Sequence, residues 1–272
     1  MSWFQRLFGH NRGVVIGMIH IQALPGTPRH STSIAEIVKK ACLEAKGYVE
    51  AGINALMLEN MHDVPYVQPD QVGPEVTASM TAVSCAVRQM YPDLPIGVQV
   101  LSAANQQALA VAQAAGLNFI RAEGFVFSHV GDEGILNACA GELLRYRRQI
   151  GADDVKVLTD IKKKHSSHAI TSDVSLAETA KAAEFFLSDG VIVTGTSTGC
   201  ATSLKDVEDV RQAVSIPVLI GSGVSPENLA ESLTAANGCI VGSHFKLGGQ
   251  WQNDVDFARV RQFMEEVRKF QT

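Results

Sequence analysis

Short apolar runs alternate with amphipathic segments along nearly the whole chain, and this order predicts parallel strands that are each followed by a helix. The predicted strands lie at residues 14–20, 54–58, 95–101, 118–122, 155–161, 190–194, 217–220 and 239–241. The predicted helices lie at residues 33–51, 74–90, 104–115, 135–150, 175–188, 204–214, from 225 onward and at 254–270. Eight such units predict a parallel (β/α)8 barrel, the TIM-barrel fold, and a length of 272 residues fits one domain of this kind.

The N-terminal stretch M-S-W-F-Q-R-L-F-G-H-N-R is basic and amphipathic, and it resembles a transit peptide. A predicted strand begins at Val14, however, which leaves very little chain to remove. The sequence therefore favours a short helix or arm at residues 1–13, packed on a barrel that spans residues 14–272. Its apolar side chains are Trp3, Phe4, Leu7 and Phe8. On this interpretation the protein is cytoplasmic, and organelle targeting is the alternative left open.

Composition narrows the class of protein. The hydrophobic fraction of 46% and the charged fraction of 19% are typical of a globular domain. A net charge of −5 without a large basic cluster argues against nucleic-acid binding, and no apolar run is long enough to span a bilayer. The five cysteines are scattered without a C-x-x-C spacing, which favours a reducing compartment over a disulfide or zinc framework. Neither a P-loop nor a Rossmann glycine motif occurs, and no cofactor is expected.

Glycine and serine follow the last two predicted strands, in the turns Gly221-Ser222-Gly223 and Gly242-Ser243. Ordinary strand-to-helix turns also favour these residues. However, glycine lets backbone N–H groups approach a ligand closely, and a short helix opening at Ser243 would add its N-terminal dipole. A (β/α)8 barrel holds the phosphate of a sugar phosphate at these two strand ends. The sequence thus predicts a phosphate site like that of ribulose-phosphate-binding barrels, with a contribution from Thr194 and Gly195.

Charged side chains converge at the carboxyl ends of the other strands, where barrel enzymes place their active sites. The catalytic candidates are His20, Glu59, Arg121, Asp160, Lys162 and Lys164. Strand periodicity puts Leu158, Asp160 and Lys162 on one side, and if that side is the lumen, an acid and an amine meet above the core. Two plainer interpretations stay open: Asp160 is a structural partner of Arg121, and the lysine run is a solvated loop. Candidate metal ligands come from separate strands, and no tightly bound metal is expected.

Four motifs are spread along the chain from its first predicted strand to its last, and the resemblance that they carry covers nearly the whole chain. They are V-I-G-M-I-H-I-Q-A-L-P-G-T-P, R-Y-R-R-Q-I-G-A-D-D-V-K-V-L-T-D-I-K-K-K-H, V-I-V-T-G-T-S-T-G, and V-L-I-G-S-G-V-S-P-E-N-L followed by C-I-V-G-S-H-F-K. Together they resemble the BtpA/SgcQ family, which implies a phosphate-binding barrel. The founding member of that family is linked to photosystem I biogenesis and stability. This chain reads L-S-A-A-N where many members read L-R-N-D, and R-A-E where many read R-V-N.

Two functions follow as hypotheses. In the first, the protein is an isomerase, epimerase or aldolase that acts on a small phosphorylated metabolite, such as a sugar phosphate. Asp160 would serve as general acid/base, with Glu59 or His20 as its counterpart. In the second, which the resemblance implies, the protein is a non-catalytic assembly or stability factor that has kept the barrel and its anion site.

The remaining candidates have roles in the enzyme hypothesis alone. Lys162 or Lys164 would polarise a substrate carbonyl or, if desolvated, form a Schiff base with it. Arg121 would orient an anionic group of the substrate. The expected partner is a small phosphorylated ligand, and the sequence leaves formation of a homo-oligomer open.

Overall fold

The structure, a computed structural model, describes residues 1–195 and 201–271 and confirms the (β/α)8 barrel. The barrel strands are β1 (Val14–His20), β2 (Ala55–Glu59), β3 (Ile96–Gln99), β4 (Phe119–Ala122), β5 (Lys156–Ile161), β6 (Gly190–Val193), β7 (Val218–Ile220) and β8 (Gly238–Val241). They close into a parallel ring in which β1 pairs with both β2 and β8. The carboxyl ends of all eight strands therefore meet at one mouth.

Helix α1 (Trp3–Phe8) precedes the first strand. The helices that follow the strands and cover the outside of the ring are α2 (Ile34–Ala51), α3 (Pro74–Met90), α4 (Asn105–Ala115), α5 (Ala140–Gln149), α6 (Leu176–Phe185), α7 (Leu204–Ala213), α8 (Leu229–Ala235) and α9 (Phe257–Gln271). Capping residues fix several of their ends. Ser33 and Ser175 form capping boxes with Glu36 and Glu178, and Gly52 ends α2 in the left-handed conformation.

Alternate residues of the strands face two different cores. In β1, the side chains of Val14, Ile16 and Met18 belong to the cluster that fills the lumen, whereas Val15 and Ile19 belong to the cluster between strands and helices. Both clusters are apolar because a parallel strand in this fold is buried on both faces. The apolar runs that predicted the strands have this physical origin.

Helix α1 closes the amino-terminal end of the lumen. The Ser2 hydroxyl accepts from the N–H of Gln5 at the start of the helix. Phe4 and Phe8 are buried among the lumen side chains, and the Phe8 ring lies 5.7 Å from that of Phe119, the first residue of β4. The helix thus acts as an apolar plug, and its burial leaves the opposite mouth as the open end.

A β-hairpin stands between β4 and α5, where the sequence analysis predicted the start of a helix at residue 135. Its strands are His129–Gly131 and Gly134–Leu136, and Ser166–Ser167 after β5 adds a third. That part of the prediction was wrong. Gly134 has a φ of +110°, which suits a tight turn and not a helix. Only residues 140–149 are helical there.

The start of α8 also differs from the prediction. The sequence suggested that Ser225 caps this helix, but the helix begins at Leu229. Asn228 explains the difference, because its Oδ1 accepts from the N–H of Ser225 at 2.9 Å and its Nδ2 donates to the carbonyl of Gly223 at 2.9 Å. These bonds make residues 223–228 a turn that supports the glycine-rich segment after β7. Such a local side-chain to backbone bond competes with helix formation.

No helix in residues 1–195 or 201–271 is long and apolar enough to cross a membrane. The cytoplasmic location stays a prediction.

The α1 plug can be tested by truncating one of its buried rings. Phe4 is 1% exposed, so Phe4→Ala is expected to lower the free energy of unfolding by about 3–5 kcal/mol through lost burial and a new cavity. Arg6→Ala, on the exposed face of the same helix, is the control and should change it by less than about 0.5 kcal/mol. Equal stability of the two variants in urea titrations would contradict a plug role for α1.

Candidate active site at the barrel mouth

One large cavity opens at the carboxyl-terminal mouth. Its volume is about 720 Å³, within the range of sites for small metabolites. Four of the catalytic candidates predicted from the sequence line it: His20, Glu59, Arg121 and Lys164. The barrel brings these residues together from β1, β2, β4 and the segment after β5, although they are far apart in the sequence.

Both predicted phosphate turns line this cavity. Gly223 has a φ of +71°, and Gly242-Ser243 leads directly into a single 3-10 turn at Ser243–Phe245. Within the described chain, the backbone N–H groups of Gly223, Gly242, Ser243 and His244 donate to no acceptor. A group of unpaired backbone donors around one concave surface is the arrangement that binds an oxygen anion.

Three other residues assigned to the phosphate site support its turns. The N–H of Gly221 donates to the carbonyl of Val193 at 2.8 Å and so continues the barrel ladder. The Ser222 hydroxyl lines the cavity and accepts from the N–H of Gly195 at 2.9 Å. The Thr194 hydroxyl accepts from the N–H of Lys164 at 3.1 Å. Thr194 and Gly195 are absent from the lining formed by described residues, and residues 196–199 of the G-T-S-T-G motif lie outside those residues.

Arg259 is a functional candidate that the sequence analysis missed. It lies on α9 and lines the cavity beside the second phosphate turn. Its Nε donates to the carbonyl of His244 at 2.7 Å, and its Nη2 is 3.2 Å from Nδ1 of the same histidine. A guanidinium here adds positive charge to the donor end of the cavity. The sequence could not predict this position, because a single arginine in an amphipathic helix is usually an ordinary surface residue.

His20 is held as a neutral base. Its Nδ1 lies 3.0 Å from the carbonyl of Trp251, and because a carbonyl only accepts, Nδ1 carries the proton and Nε2 carries the lone pair. Burial and the charge of Lys246 put the pKa of His20 well below its usual value. Nε2 lies 3.6 Å from Oε2 of Glu59. Trp251 was not among the predicted residues, since it acts through its backbone.

Glu59 and Lys164 have pKa values displaced in opposite directions. Burial raises the pKa of Glu59, although Arg121 and Lys164 oppose this change. Burial, together with the charge of Arg121, lowers the pKa of Lys164. The Lys164 ammonium forms no ion pair with any residue that the structure describes. An acid that is easily protonated and an amine that is easily deprotonated thus share one cavity, which is typical of proton-transfer sites.

Asp160 does not line this cavity, although the sequence analysis assigned it the role of general acid/base. It faces the lumen as expected, but its side chain is 1% exposed and both of its oxygens accept from Arg121 at 3.0–3.2 Å. Burial alone would lower the pKa of Arg121, but the carboxylates of Asp160 and Glu59 outweigh burial and raise the pKa of this guanidinium. The geometry matches the plainer interpretation, in which Asp160 is the structural partner of Arg121.

Lys162 also lies away from the cavity. Its φ of +44° breaks the extended conformation, so the side shared by Leu158 and Asp160 does not continue to it. Its ammonium donates to the carbonyl of Thr171 at 3.0 Å. Lys163 lines the cavity instead and lies 3.3 Å from Glu123. Burial alone would raise the pKa of Glu123, but Lys163 and Arg121 lower it, which makes this a second structural pair.

The buried pair can be tested by neutralising its acid. Asp160→Asn is expected to lower the free energy of unfolding by about 3–5 kcal/mol, because it leaves the Arg121 charge buried without a partner. Asp173→Asn, at an exposed position, is the matched control and should leave the melting temperature unchanged. A folded Asp160→Asn protein with the melting temperature of the wild type would show that the pair is not structural.

Comparisons with known proteins place this arrangement in context. A family model described as the BtpA family matches residues 11–269. An uncharacterised mitochondrial protein of Caenorhabditis elegans is 49% identical over 266 residues, which cover 96% of this chain and 95% of that protein. The photosystem I biogenesis protein BtpA of Synechocystis sp. is 34% identical over 268 residues, which cover 98% of this chain and 91% of that protein.

Two solved structures with a similar fold are enzymes with little sequence identity to this chain. The (S)-3-O-geranylgeranylglyceryl phosphate synthase of Thermoplasma acidophilum, in complex with sn-glycerol-1-phosphate, has a TM-score of 0.63 at 15% identity over 99% of both chains. The thiamine phosphate pyrophosphorylase of Pyrococcus furiosus has a TM-score of 0.60 at 14% identity, covering 96% of this chain and 98% of that one. At these identities the likeness establishes the fold alone.

Proposed function

The chain belongs to the BtpA family, and we propose that it is an enzyme acting on a small phosphorylated, sugar-like metabolite at the barrel mouth. The observation that carries this proposal is one cavity with two kinds of group. Backbone donors lie at one side, and titratable groups of displaced pKa, His20, Glu59 and Lys164, lie at its base, which we call the floor. A purely structural barrel has no need to bury unpaired ionisable groups, because burial of such groups costs stability. The phosphorylated ligands named for the similar solved enzymes agree with this substrate class.

The phosphate is bound by the backbone donors of the turns after β7 and β8, with Arg259 and His244 beside them. Such a site fixes one end of the substrate and leaves the reacting carbons above the floor. Fixing the substrate in this way converts binding energy into orientation of the reacting atoms.

His20 and Glu59 form a pair suited to proton transfer. Nε2 of His20 carries a lone pair and can remove a proton from a carbon next to the substrate carbonyl. Glu59, only 3.6 Å away and with a raised pKa, can return a proton to the neighbouring position. An isomerase needs this combination, and an epimerase would instead return the proton to the opposite face of the same carbon. Asp160 then acts by positioning Arg121, whose charge faces the anionic intermediate.

Lys164 supplies the group that activates the carbonyl. As an ammonium it donates to the carbonyl oxygen and stabilises the negative charge that develops there. As a neutral amine, which its lowered pKa favours, it can attack the carbonyl carbon and form a Schiff base with loss of water. The second route would make the enzyme an aldolase.

The Synechocystis relative is named for photosystem I biogenesis, and this name favours the assembly or stability factor as a second candidate function. That role predicts no turnover and no loss of function when Lys164 is replaced. The two candidates therefore differ in the outcome of the following experiments.

The phosphate site is tested with a pair of glycine substitutions. Gly223→Val should abolish stabilisation by inorganic phosphate and by sugar phosphates in thermal-shift titrations, because a branched side chain obstructs the turn. Gly116→Val is the matched control, since Gly116 also has a φ near +70°, at +66°, and lies at the end of α4 away from the cavity. Phosphate stabilisation that survives Gly223→Val but is lost in the control would refute the assignment.

The chemistry is tested on the sugar phosphate that gives the largest thermal shift in such a screen. Lys164→Met should lower turnover by about 10²–10⁴-fold while ligand-induced stabilisation is kept. The neighbouring Lys162→Met, which is outside the cavity, should keep wild-type turnover. Borohydride trapping of substrate on the wild type would identify the Schiff-base route. Turnover that depends on Lys162 and not on Lys164 would overturn these roles.

A further inference from the structure

Gln99 is a polar side chain at the barrel mouth that the proposed chemistry does not use. It ends β3, is 2% exposed and lines the cavity. In the strand register it stands beside Glu59, and Arg121 follows one strand further on. Its lumen-facing position is therefore on the floor, next to the groups that would carry out proton transfer.

The amide of Gln99 has no hydrogen-bond partner within the part of the chain that the structure describes. Its Oε1 is buried and unsatisfied, and its Nε2 makes no hydrogen bond to a described residue. Other polar groups on this floor are engaged, as Asp160 is by Arg121 and Glu123 is by Lys163. Most buried polar atoms in folded proteins are paired, and one that is not requires an explanation.

The position of Gln99 relative to the phosphate turns suggests that explanation. Around the closed ring, β3 is three strands from β8 and four from β7, so Gln99 lies across the mouth from the anion donors. A ligand with its phosphate on those donors would present its far end to the amide. A hydroxyl group is the ligand group that can donate to Oε1 or accept from Nε2.

A second buried acceptor lies at the same mouth. Oε2 of Glu133, at the tip of the hairpin, is also unsatisfied, and the backbone of this residue is held in place by Gln68, whose Nε2 donates to its carbonyl at 2.7 Å. Two unsatisfied side-chain atoms away from the phosphate turns, Oε1 of Gln99 and Oε2 of Glu133, are thus acceptors. They complement a ligand that carries hydrogen-bond donors.

We propose that Gln99 is a specificity-determining residue, which binds a hydroxyl group at the phosphate-distal end of the substrate. This inference rests on the proposed function and narrows its substrate class to phosphate esters of polyhydroxylated chains. Phosphate esters with an apolar chain are rejected, because they leave the amide buried and unpaired.

The test compares phosphate esters that differ only in hydroxyl groups. Pairs of equal chain length are titrated by calorimetry, such as propyl phosphate with glycerol phosphate and hexyl phosphate with sorbitol phosphate. For at least one length, the wild type should bind the polyol phosphate about tenfold or more tightly than the alkyl phosphate. Gln99→Leu should remove this preference and leave the affinity for inorganic phosphate unchanged. Gln106→Leu, exposed on α4, is the matched control and should keep the preference.

Stability measurements separate this role from a structural one. Because Gln99 has no hydrogen-bond partner to lose among the described residues, Gln99→Leu should be at least as stable as the wild type. A clear loss of stability, or equal binding of alkyl and polyol phosphates by the wild type, would overturn the inference while phosphate binding itself survives. Absence of binding by every phosphate ester would instead overturn the proposed function and this inference with it.

Discussion

The ion pair between Arg121 and Asp160 is the interaction on which the rest of the barrel mouth depends. Asp160 uses both carboxylate oxygens on the guanidinium, so Arg121 stays charged and fixed on the lumen side of β4. That charge opposes the rise in the pKa of Glu59 and adds to the fall in the pKa of Lys164. The guanidinium also packs against the glycine after β7, where a Cβ at Gly221 would lie 3.3 Å from Nη2 of Arg121 and only 2.6 Å from Cγ2 of Ile192. One buried pair therefore influences both the acid–base groups and the phosphate turn.

Closure of the ring between β8 and β1 joins the proposed phosphate site to the proposed catalytic residues. It places Gly242 beside His20, where a Cβ would lie only 3.2 Å from Nε2. Glycine at this position thus keeps the basic nitrogen open as well as exposing the turn's N–H groups. The segment after β8 then returns over β1, and its Trp251 carbonyl fixes the tautomer of His20. The proposed phosphate site and the orientation of His20 therefore depend on the same short region.

The sequence predicted the features that depend on local pattern. Buried apolar runs gave the strands, and the glycine turns after β7 and β8 were located at one cavity. Features that depend on a single backbone dihedral or on distant contacts could not be predicted. Lys162 and Lys164 were indistinguishable until the φ of +44° at Lys162 showed which one leaves the lumen. Arg259 and Trp251 act through contacts with His244 and His20 that only the folded chain creates.

The presence or absence of an ion-pair partner distinguishes the buried charged side chains that hold this mouth together from those that we propose to react. Buried charges that hold the structure have close partners, as in Arg121 with Asp160, Lys163 with Glu123, and Lys246 with Glu44 at 3.0 Å behind the floor. Lys164 has no such partner among the described residues, and Glu59 has only the neutral His20 at 3.6 Å. Burial without a partner destabilises the charged form of a group and moves its pKa toward neutrality. A side chain kept in that state is costly to the fold, which is why we assign the proposed reacting centre to the unpaired residues and not to the most buried ones.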